Sequence, residues 1–235
     1  MHRNITIKIK PYMKMVDLIE GNPSFLLFMQ HFEIDFRVDE LTVAQICKKY
    51  DISENLFIII GSLYYGHKEY NDISLSNKDI LQLIQFLRNS HTYYRKYKYP
   101  ELKSYIHHLQ EESPSKELLL LEKFFSTYLE EVLEHLDYEE DVAFPYFTEL
   151  ITNKNIPCDN KYSAKEYHEH HTDIELKLAD LKNLLLKHIK INSSLNLRRR
   201  LLTSLLELEF DLYIHSFIEE AILVPVGSNL EKHCK

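Results

Sequence analysis

The spacing of apolar residues changes close to residue 76. Before that point, apolar residues fall into short segments that are separated by polar breaks, at residues 21–24 and 53–55. From Ser76 onward they recur at alternating steps of three and four over four long stretches, which is the pattern of one helix face buried in a core. The pattern predicts short helices in residues 1–75 and four long amphipathic helices, A to D, in residues 76–235.

Capping residues and prolines predict the ends of the four long helices. Ser76, followed three residues later by Asp79, resembles a capping box, and Pro100 predicts a kink. The predicted bounds are 76 to 102 or 112 for helix A, 114–143 for B, 163–189 for C and 196–223 for D. Because the connections are short, we expect an all-α protein: an antiparallel four-helix bundle behind a small N-terminal helical domain.

The amino-acid composition supports the all-α prediction and bears on the possible partners and the cellular compartment. Only four Gly and seven Pro occur, too few for the turns of most sheet proteins. Lys plus Arg total 28 and Asp plus Glu 36, so the net charge is −8, which disfavours a general nucleic-acid or anionic-membrane binder. The N-terminus has no secretory pattern and the three Cys are far apart, so we expect a cytoplasmic protein without membrane partners.

One motif occurs twice. His135 is followed by Glu139, Glu140 and Pro145, and the same HxxxEExxxxP spacing recurs at His215, 80 residues later. Both His-Glu pairs lie on the predicted inward stripe, where leucine is expected. The stripe predicted for helix B consists of Leu121, Phe125, Tyr128, Val132, His135, Glu139 and Val142; on helix D the pair is His215 and Glu219.

The other two long helices each add an inward histidine. His91 occupies a core position of helix A, and His171 one of helix C, with His168 one turn earlier as an alternative. A single histidine on an apolar face is usually a hydrogen-bonded core residue. Antiparallel packing, however, brings the four histidines to one height, and core packing alone gives no reason for that coincidence.

The two inward glutamates predict metal ions. A carboxylate in an apolar core costs several kcal/mol unless it is paired or bound to a cation. Four imidazoles and two carboxylates suit two metal ions, with Glu139 and Glu219 bridging and the histidines as terminal ligands. Without thiolates, this donor set favours iron, with manganese or zinc as alternatives. So few carboxylates leave room for an oxo or hydroxo bridge and one open position.

These residues resemble the hemerythrin-like HHE domain over residues 78–226. The resemblance rests on Ser90-His91, on the two HxxxEE motifs ending at Pro145 and Pro225, and on the segment 171–175. It implies a four-helix bundle with a non-haem di-iron centre. It also implies terminal ligands at His91, His135, His171 and His215, and bridging ligands at Glu139 and Glu219.

Residues 28–60 resemble the small domain that precedes the HHE domain in the family of proteins for repair of iron centres. That resemblance implies a response to nitric oxide and oxidative stress, with restoration of iron–sulfur clusters. The family's Cys-Cys-Gly after Ile-Asp-Phe is replaced here by residues 37–39, Arg-Val-Asp. A step that depends on those thiols is therefore not expected in the same form.

Three hypotheses for function follow. The first is a di-iron stress protein that reacts with NO, O2 or peroxide and has iron–sulfur proteins as partners. The second is a non-enzymatic O2 or NO sensor or carrier. The third is a regulator in which residues 41–53 form a helix-turn-helix, although residues 1–76 carry 8 basic and 10 acidic residues and no basic recognition helix. A homodimer is compatible with all three.

Overall fold

The computed structural model describes residues 6–68, 75–152, 163–169, 174–190 and 194–233, with the backbone alone at 168, 169 and 233. Within these ranges the secondary structure is helical and contains no strand, which confirms the all-α prediction. Lys14 and Thr42 form one antiparallel bridge that ties the first segment to the third helix.

Four short helices make up the N-terminal region. Polar caps begin the third and fourth of them: Thr42 and Gln45 form a capping box, and Ser53 accepts a hydrogen bond from the backbone of Leu56. Cys47 is buried, and that burial raises the pKa of its thiol to about 12. The helices are α1 (Met15–Gly21), α2 (Phe25–His31), α3 (Val43–Lys49) and α4 (Glu54–Tyr64).

The later helices are interrupted by wide turns in which backbone bonds span five residues, here named π1 to π4. The helices are α5 (Asn77–Tyr93), α6 (Tyr99–Glu112), α7 (Lys116–Tyr138), α8 (Phe144–Thr152), α9 (Ala164–Glu169), α10 (Ile174–Asn183), α11 (Leu195–Ile218) and α12 (Val224–His233). The wide turns are π1 (Tyr94–Lys98), π2 (Glu139–Ala143), π3 (Leu184–His188) and π4 (Glu219–Leu223).

The predicted start of helix A agrees with the structure, whereas helix B begins two residues later than predicted, at Lys116 with Ser115 as its cap. The predicted ends of B and D are wrong. Ser76 and Asp79 form the expected capping box, and α5, π1 and α6 run together to Glu112 with Pro100 inside. The second run, however, continues beyond 143 to Thr152, and the last run continues beyond 223 to His233. Proline does not end these helices.

The π turns explain how the prolines are accommodated. Proline lacks an N–H and its ring collides with the carbonyl four residues earlier, so a regular α-helix cannot pass through it unchanged. Pro100, Pro145 and Pro225 each follow two residues after a π turn, and the residue before each proline donates to a carbonyl five positions back. The wider turn lets each helix continue past its proline, and such turns are frequent at functional sites.

A π turn also shifts which residues face inward. The prediction placed Val142 in the core, but its exposed fraction is 38%. Ala143 is fully buried instead. The π2 turn holds one residue more than a regular α-helical turn. The residue that faces the core after Glu139 is therefore one position later in the chain.

The long runs pack side by side around the buried residues. α7 and α11 each contact both α6 and α10, while α8 contacts α5 and α12. From the N-terminal region, α2 contacts α5, and α4 contacts α5 and α11, so the buried apolar side chains of both regions form one continuous cluster. The domain boundary near residue 75 stays a prediction. None of the described helices combines the length and the apolarity needed to cross a bilayer.

Candidate metal centre

Four ligand-type side chains converge between the long runs. His91 from α5, Glu139 from π2, His215 from α11 and Glu219 from π4 each offer one ligand atom, and these atoms lie within 4.8 Å of one another. All four side chains are buried, with both glutamates at 0% exposure. A cluster of this composition can hold a metal ion.

The ring nitrogens point at the carboxylates. His91 Nε2 lies 3.2 Å from Glu139 Oε2, and His215 Nε2 lies 3.0 Å from Glu219 Oε1. The two Nε2 atoms lie 3.2 Å from each other. The π turns that begin at Glu139 and Glu219 therefore set two carboxylates against two imidazoles around one point.

The hydrogen bond of His215 identifies the nitrogen that is left for a ligand. The Ser90 hydroxyl donates to the carbonyl of Leu87 at 2.7 Å, so it accepts from His215 Nδ1 at 2.8 Å. In neutral His215 the Nε2 lone pair then faces a carboxylate oxygen of Glu219. Two acceptors at 3.0 Å repel unless a proton or a cation lies between them. The donor set fits a metal ion for this reason.

A second carboxylate orients His91. Its Nδ1 donates to Glu140 Oε1 at 2.9 Å, and the other oxygen of Glu140 accepts from Arg88 at 2.6 Å. Outer carboxylates of this kind fix the ring orientation of metal-binding histidines. Burial opposes the charge on His91, but the hydrogen bonds to Glu139 and Glu140 outweigh it and raise its pKa to about 9. Protons and metal ions therefore compete for this imidazole.

Tyr167 covers the carboxylates from α9. Its hydroxyl donates to Glu139 Oε1 at 2.9 Å, and the side chain is 1% exposed. Burial first, and then the charges of Glu139 and Glu219, raise the pKa of Tyr167 well above its ordinary value. Burial alone would raise the pKa of Glu139 as well, but hydrogen bonds with His135 and His91 hold it well below the usual range. Glu139 is therefore a buried anion.

His135 lies at the edge of this group. Its Nε2 is 3.2 Å from Glu139 Oε1, and the side chain is 11% exposed, the largest exposure among the described predicted ligands. A cavity of about 250 Å³ leads to it, lined by His135, His215, Glu175 and Glu220 among others. The cavity connects the cluster to the surface.

The remaining predicted ligand falls outside the described residues. His171 is not among them, and of His168, its alternative, only the backbone in α9 is described. The described structure therefore brings together five of the six predicted ligands: four in the compact group and His135 beside it. The number and identity of the metal ions stay a prediction.

Three residues of the site were not predicted as site residues. Ser90, Glu140 and Tyr167 each hydrogen-bond a ligand-type side chain. Glu140 carries a signal, because it is the second glutamate of the repeated motif. Tyr167 carries another, because a buried phenol must find an acceptor. Ser90 contributes to the family resemblance only as the neighbour of His91, without a predicted role.

Comparison of the chain with protein families, with curated proteins and with solved structures found no match.

Proposed function

We propose that this protein is a hemerythrin-like di-iron protein that reacts with O2, peroxide or NO in a stress response. The observation that carries the proposal is the buried group of His91, Glu139, His215 and Glu219, whose ligand atoms lie within 4.8 Å. Two fully buried carboxylates are costly in an apolar core unless cations neutralise them. The packing of α5 to α12 supports a four-helix bundle as the framework of this centre.

In this proposal His91, His135 and His215 are terminal ligands and Glu139 and Glu219 bridge two ions, with His171 or His168 completing the set. Iron bound there would supply redox chemistry and an open position for a small ligand. The chain's own residues orient the metal-binding side chains and shield them from water. Glu140 holds the ring of His91, Ser90 holds the ring of His215, and the apolar side chains around the group keep bulk water away.

The cavity supports a small, uncharged ligand. It ends at His135 and His215, and its described lining is apolar apart from these imidazoles, the hydroxyls of Tyr213 and Ser216 and two carboxylates, Glu175 and Glu220. No lysine or arginine belongs to that lining, so nothing there attracts an anion. O2, hydrogen peroxide and NO fit this environment.

A role in repair of iron–sulfur clusters belongs to the same proposal, on the resemblance of residues 28–60. Its thiol step differs in this chain, because Arg37 and Val38 occupy the positions of the cysteine pair and Cys47 is buried.

Anaerobic titration of the metal-free protein with ferrous iron tests the proposal. We expect two irons per chain by elemental analysis, and new absorption of an oxo-bridged ferric pair after air or peroxide. Iron content well below one per chain would refute the proposal. Reversible O2 binding without turnover would instead identify a carrier or sensor.

A further inference from the structure

We propose that Tyr94, Tyr93 and Tyr97 form a relay that carries single electrons between the buried metal-ligand group and the surface. This inference rests on the proposed function, since the centre is one end of the relay. The three tyrosines, named the tyrosine relay below, lie at the end of α5 and in π1.

The rings of the tyrosine relay form a continuous path. The ring centroid of Tyr94 lies 5.9 Å from that of His215, and the centroid of Tyr93 lies 5.8 Å from that of Tyr94. The rings of Tyr93 and Tyr97 are stacked, with centroids 6.5 Å apart. Aromatic rings this close exchange electrons readily by tunnelling, so no step of the path is long.

Exposure rises along the same path. Tyr94 is fully buried, Tyr93 is 9% exposed and Tyr97 is 61% exposed. The inner end is therefore closed to solvent and in contact with His215, whereas the outer end can meet a reductant dissolved in water. This gradient gives the path a direction from the centre to the surface.

Each buried phenol of the relay has its own proton acceptor. Tyr94 donates to Asp211 Oδ2 at 2.9 Å, and Tyr93 donates to Glu207 Oε1 at 2.9 Å. An oxidised phenol is a strong acid, so tyrosine loses an electron easily only where a base takes the proton. Phenylalanine would fill the same space but has no hydroxyl proton to give to these carboxylates, which also pair with Lys98 (Glu207) and His31 (Asp211).

Asp211 is the carboxylate positioned to accept the proton of Tyr94, because it lies 2.9 Å from the Tyr94 hydroxyl. It is 1% exposed and also accepts hydrogen bonds from His31 Nε2 at 2.8 Å and from Tyr64 at 2.7 Å. Burial opposes its ionisation, but His31 and the two tyrosine hydroxyls hold its pKa below the ordinary value. The Tyr94 hydroxyl therefore already points its proton at a carboxylate oxygen.

The transfer balances in electrons and protons. Once hydrogen peroxide had oxidised a bound metal centre, Tyr94 would supply that centre with one electron, and the O–H proton of Tyr94 would move to Asp211. Tyr93 then reduces Tyr94, Asp211 returns the proton, and the proton of Tyr93 moves to Glu207. Tyr97 reduces Tyr93 in the same way and releases its own proton to water.

A thiol in solution completes the cycle by restoring Tyr97 with one electron and one proton. The transfer of two electrons along the relay reduces one hydrogen peroxide molecule to two water molecules and oxidises two thiol molecules to one disulfide. The relay thus gives the proposed centre a source of reducing electrons that never enter the cavity.

The first test uses the metal-free full chain, so it does not depend on the centre. Azide radicals made by pulse radiolysis oxidise exposed tyrosines, and dityrosine cross-links are mapped by mass spectrometry. In the unmodified chain, we expect oxidation at Tyr97 to move inward and few Tyr97 cross-links to form. In Tyr93→Phe the oxidation stays at Tyr97, and its cross-links increase severalfold.

A second variant guards against misfolding. Glu207→Gln keeps the ring of Tyr93 and removes its proton acceptor at a residue that is 39% exposed, so we expect the same increase. Tyr99→Phe, a buried tyrosine bonded to Tyr128, is the matched control and should behave as the unmodified chain. Equal Tyr97 cross-linking in the unmodified chain, Tyr93→Phe and Glu207→Gln would overturn the relay.

The second test asks whether the relay serves the centre. Iron-loaded protein is treated with hydrogen peroxide and a nitroso spin trap, and adducts are mapped. We expect an adduct at Tyr97 that falls severalfold in Tyr94→Phe, while Tyr12, which is 72% exposed, carries little. Protein that consumes peroxide without modifying Tyr97 would overturn the link. Protein that binds no iron would refute the proposed function alone, since the metal-free test still decides the relay.

Discussion

The two copies of the HxxxEExxxxP motif have one local structure and two different surroundings. In each copy the histidine lies in the last turn of an α-helix, the glutamate begins a π turn, and the proline follows two residues after that turn. Yet the second glutamate of the first copy, Glu140, bonds His91 and Arg88, whereas its counterpart Glu220 is exposed beside the cavity. The motif therefore determines how the ligands are presented, and the neighbouring helices determine what supports them.

Outside the motif, some positions 80 residues apart carry different residues. The offset of 80 residues also relates Leu87 to Tyr167 and Phe147 to Gly227. Tyr167 bonds Glu139, whereas Leu87 only packs. A Cβ atom at Gly227 would lie 2.4 Å from Phe147 Cε1, so the large residue of one copy faces the absent side chain of the other. These positions therefore differ in both residue and contacts.

The largest expected effect tests what the copies share. Glu139→Ala and Glu219→Ala should each abolish binding of at least one metal ion, because each carboxylate is expected to contact both. We expect a loss of affinity above the roughly 10–100-fold typical of supporting residues, measured by competition with a chelator. Two tightly bound irons in both variants would show that neither glutamate bridges.

The pH dependence of metal binding tests the proton competition at His91. Because its pKa is raised to about 9, metal must displace a proton below that pH, and affinity should rise about tenfold per pH unit from neutral pH to about 9. A flat profile between those values would contradict this assignment.

The stability of the metal-free chain should change with pH in the opposite direction. The pKa of His91 is about 9 in the folded chain and about 6.5 in the unfolded chain, so protonation of His91 stabilises the folded chain fully below about pH 6.5. That stabilisation is lost as the pH rises through about 9. Urea unfolding across that range measures it.

Glu140→Gln and Glu220→Gln form a matched pair that separates the two copies. The first removes the carboxylate that orients His91 and should lower metal affinity about 10-fold. The second removes an exposed charge and should leave the affinity nearly unchanged. Equal losses in both variants, measured by the same chelator competition, would mean that the copies are supported alike.

Gly227→Ala tests the contact between the copies. The added methyl group meets the ring of Phe147, so we expect a loss of about 1–3 kcal/mol in the free energy of unfolding. Phe147→Leu in the same chain should recover part of that loss, and chemical denaturation measures both. Full stability of Gly227→Ala would show that α8 and α12 separate easily.

A modest effect is expected at Tyr167. Tyr167→Phe removes one hydrogen bond to a buried carboxylate. Loss of a hydrogen bond to a charged acceptor typically lowers the free energy of unfolding by about 1.5–3 kcal/mol. Since His135 and His91 also contact Glu139, we expect the lower end of that range, measured by urea unfolding of the metal-free protein. An unchanged free energy would indicate that water replaces the phenol.

The sequence by itself determined the helical class, the capped start at Ser76 and the inward His-Glu pairs, because helix periodicity and the cost of buried charge act locally along the chain. It misplaced Val142 and the helix ends near Pro145 and Pro225, because a π turn depends on how a proline is accommodated within a packed run. Only the tertiary structure decided that Glu140 supports His91 and that Tyr167 reaches Glu139. These contacts join residues that are distant in the chain, and no local pattern specifies which helices become neighbours.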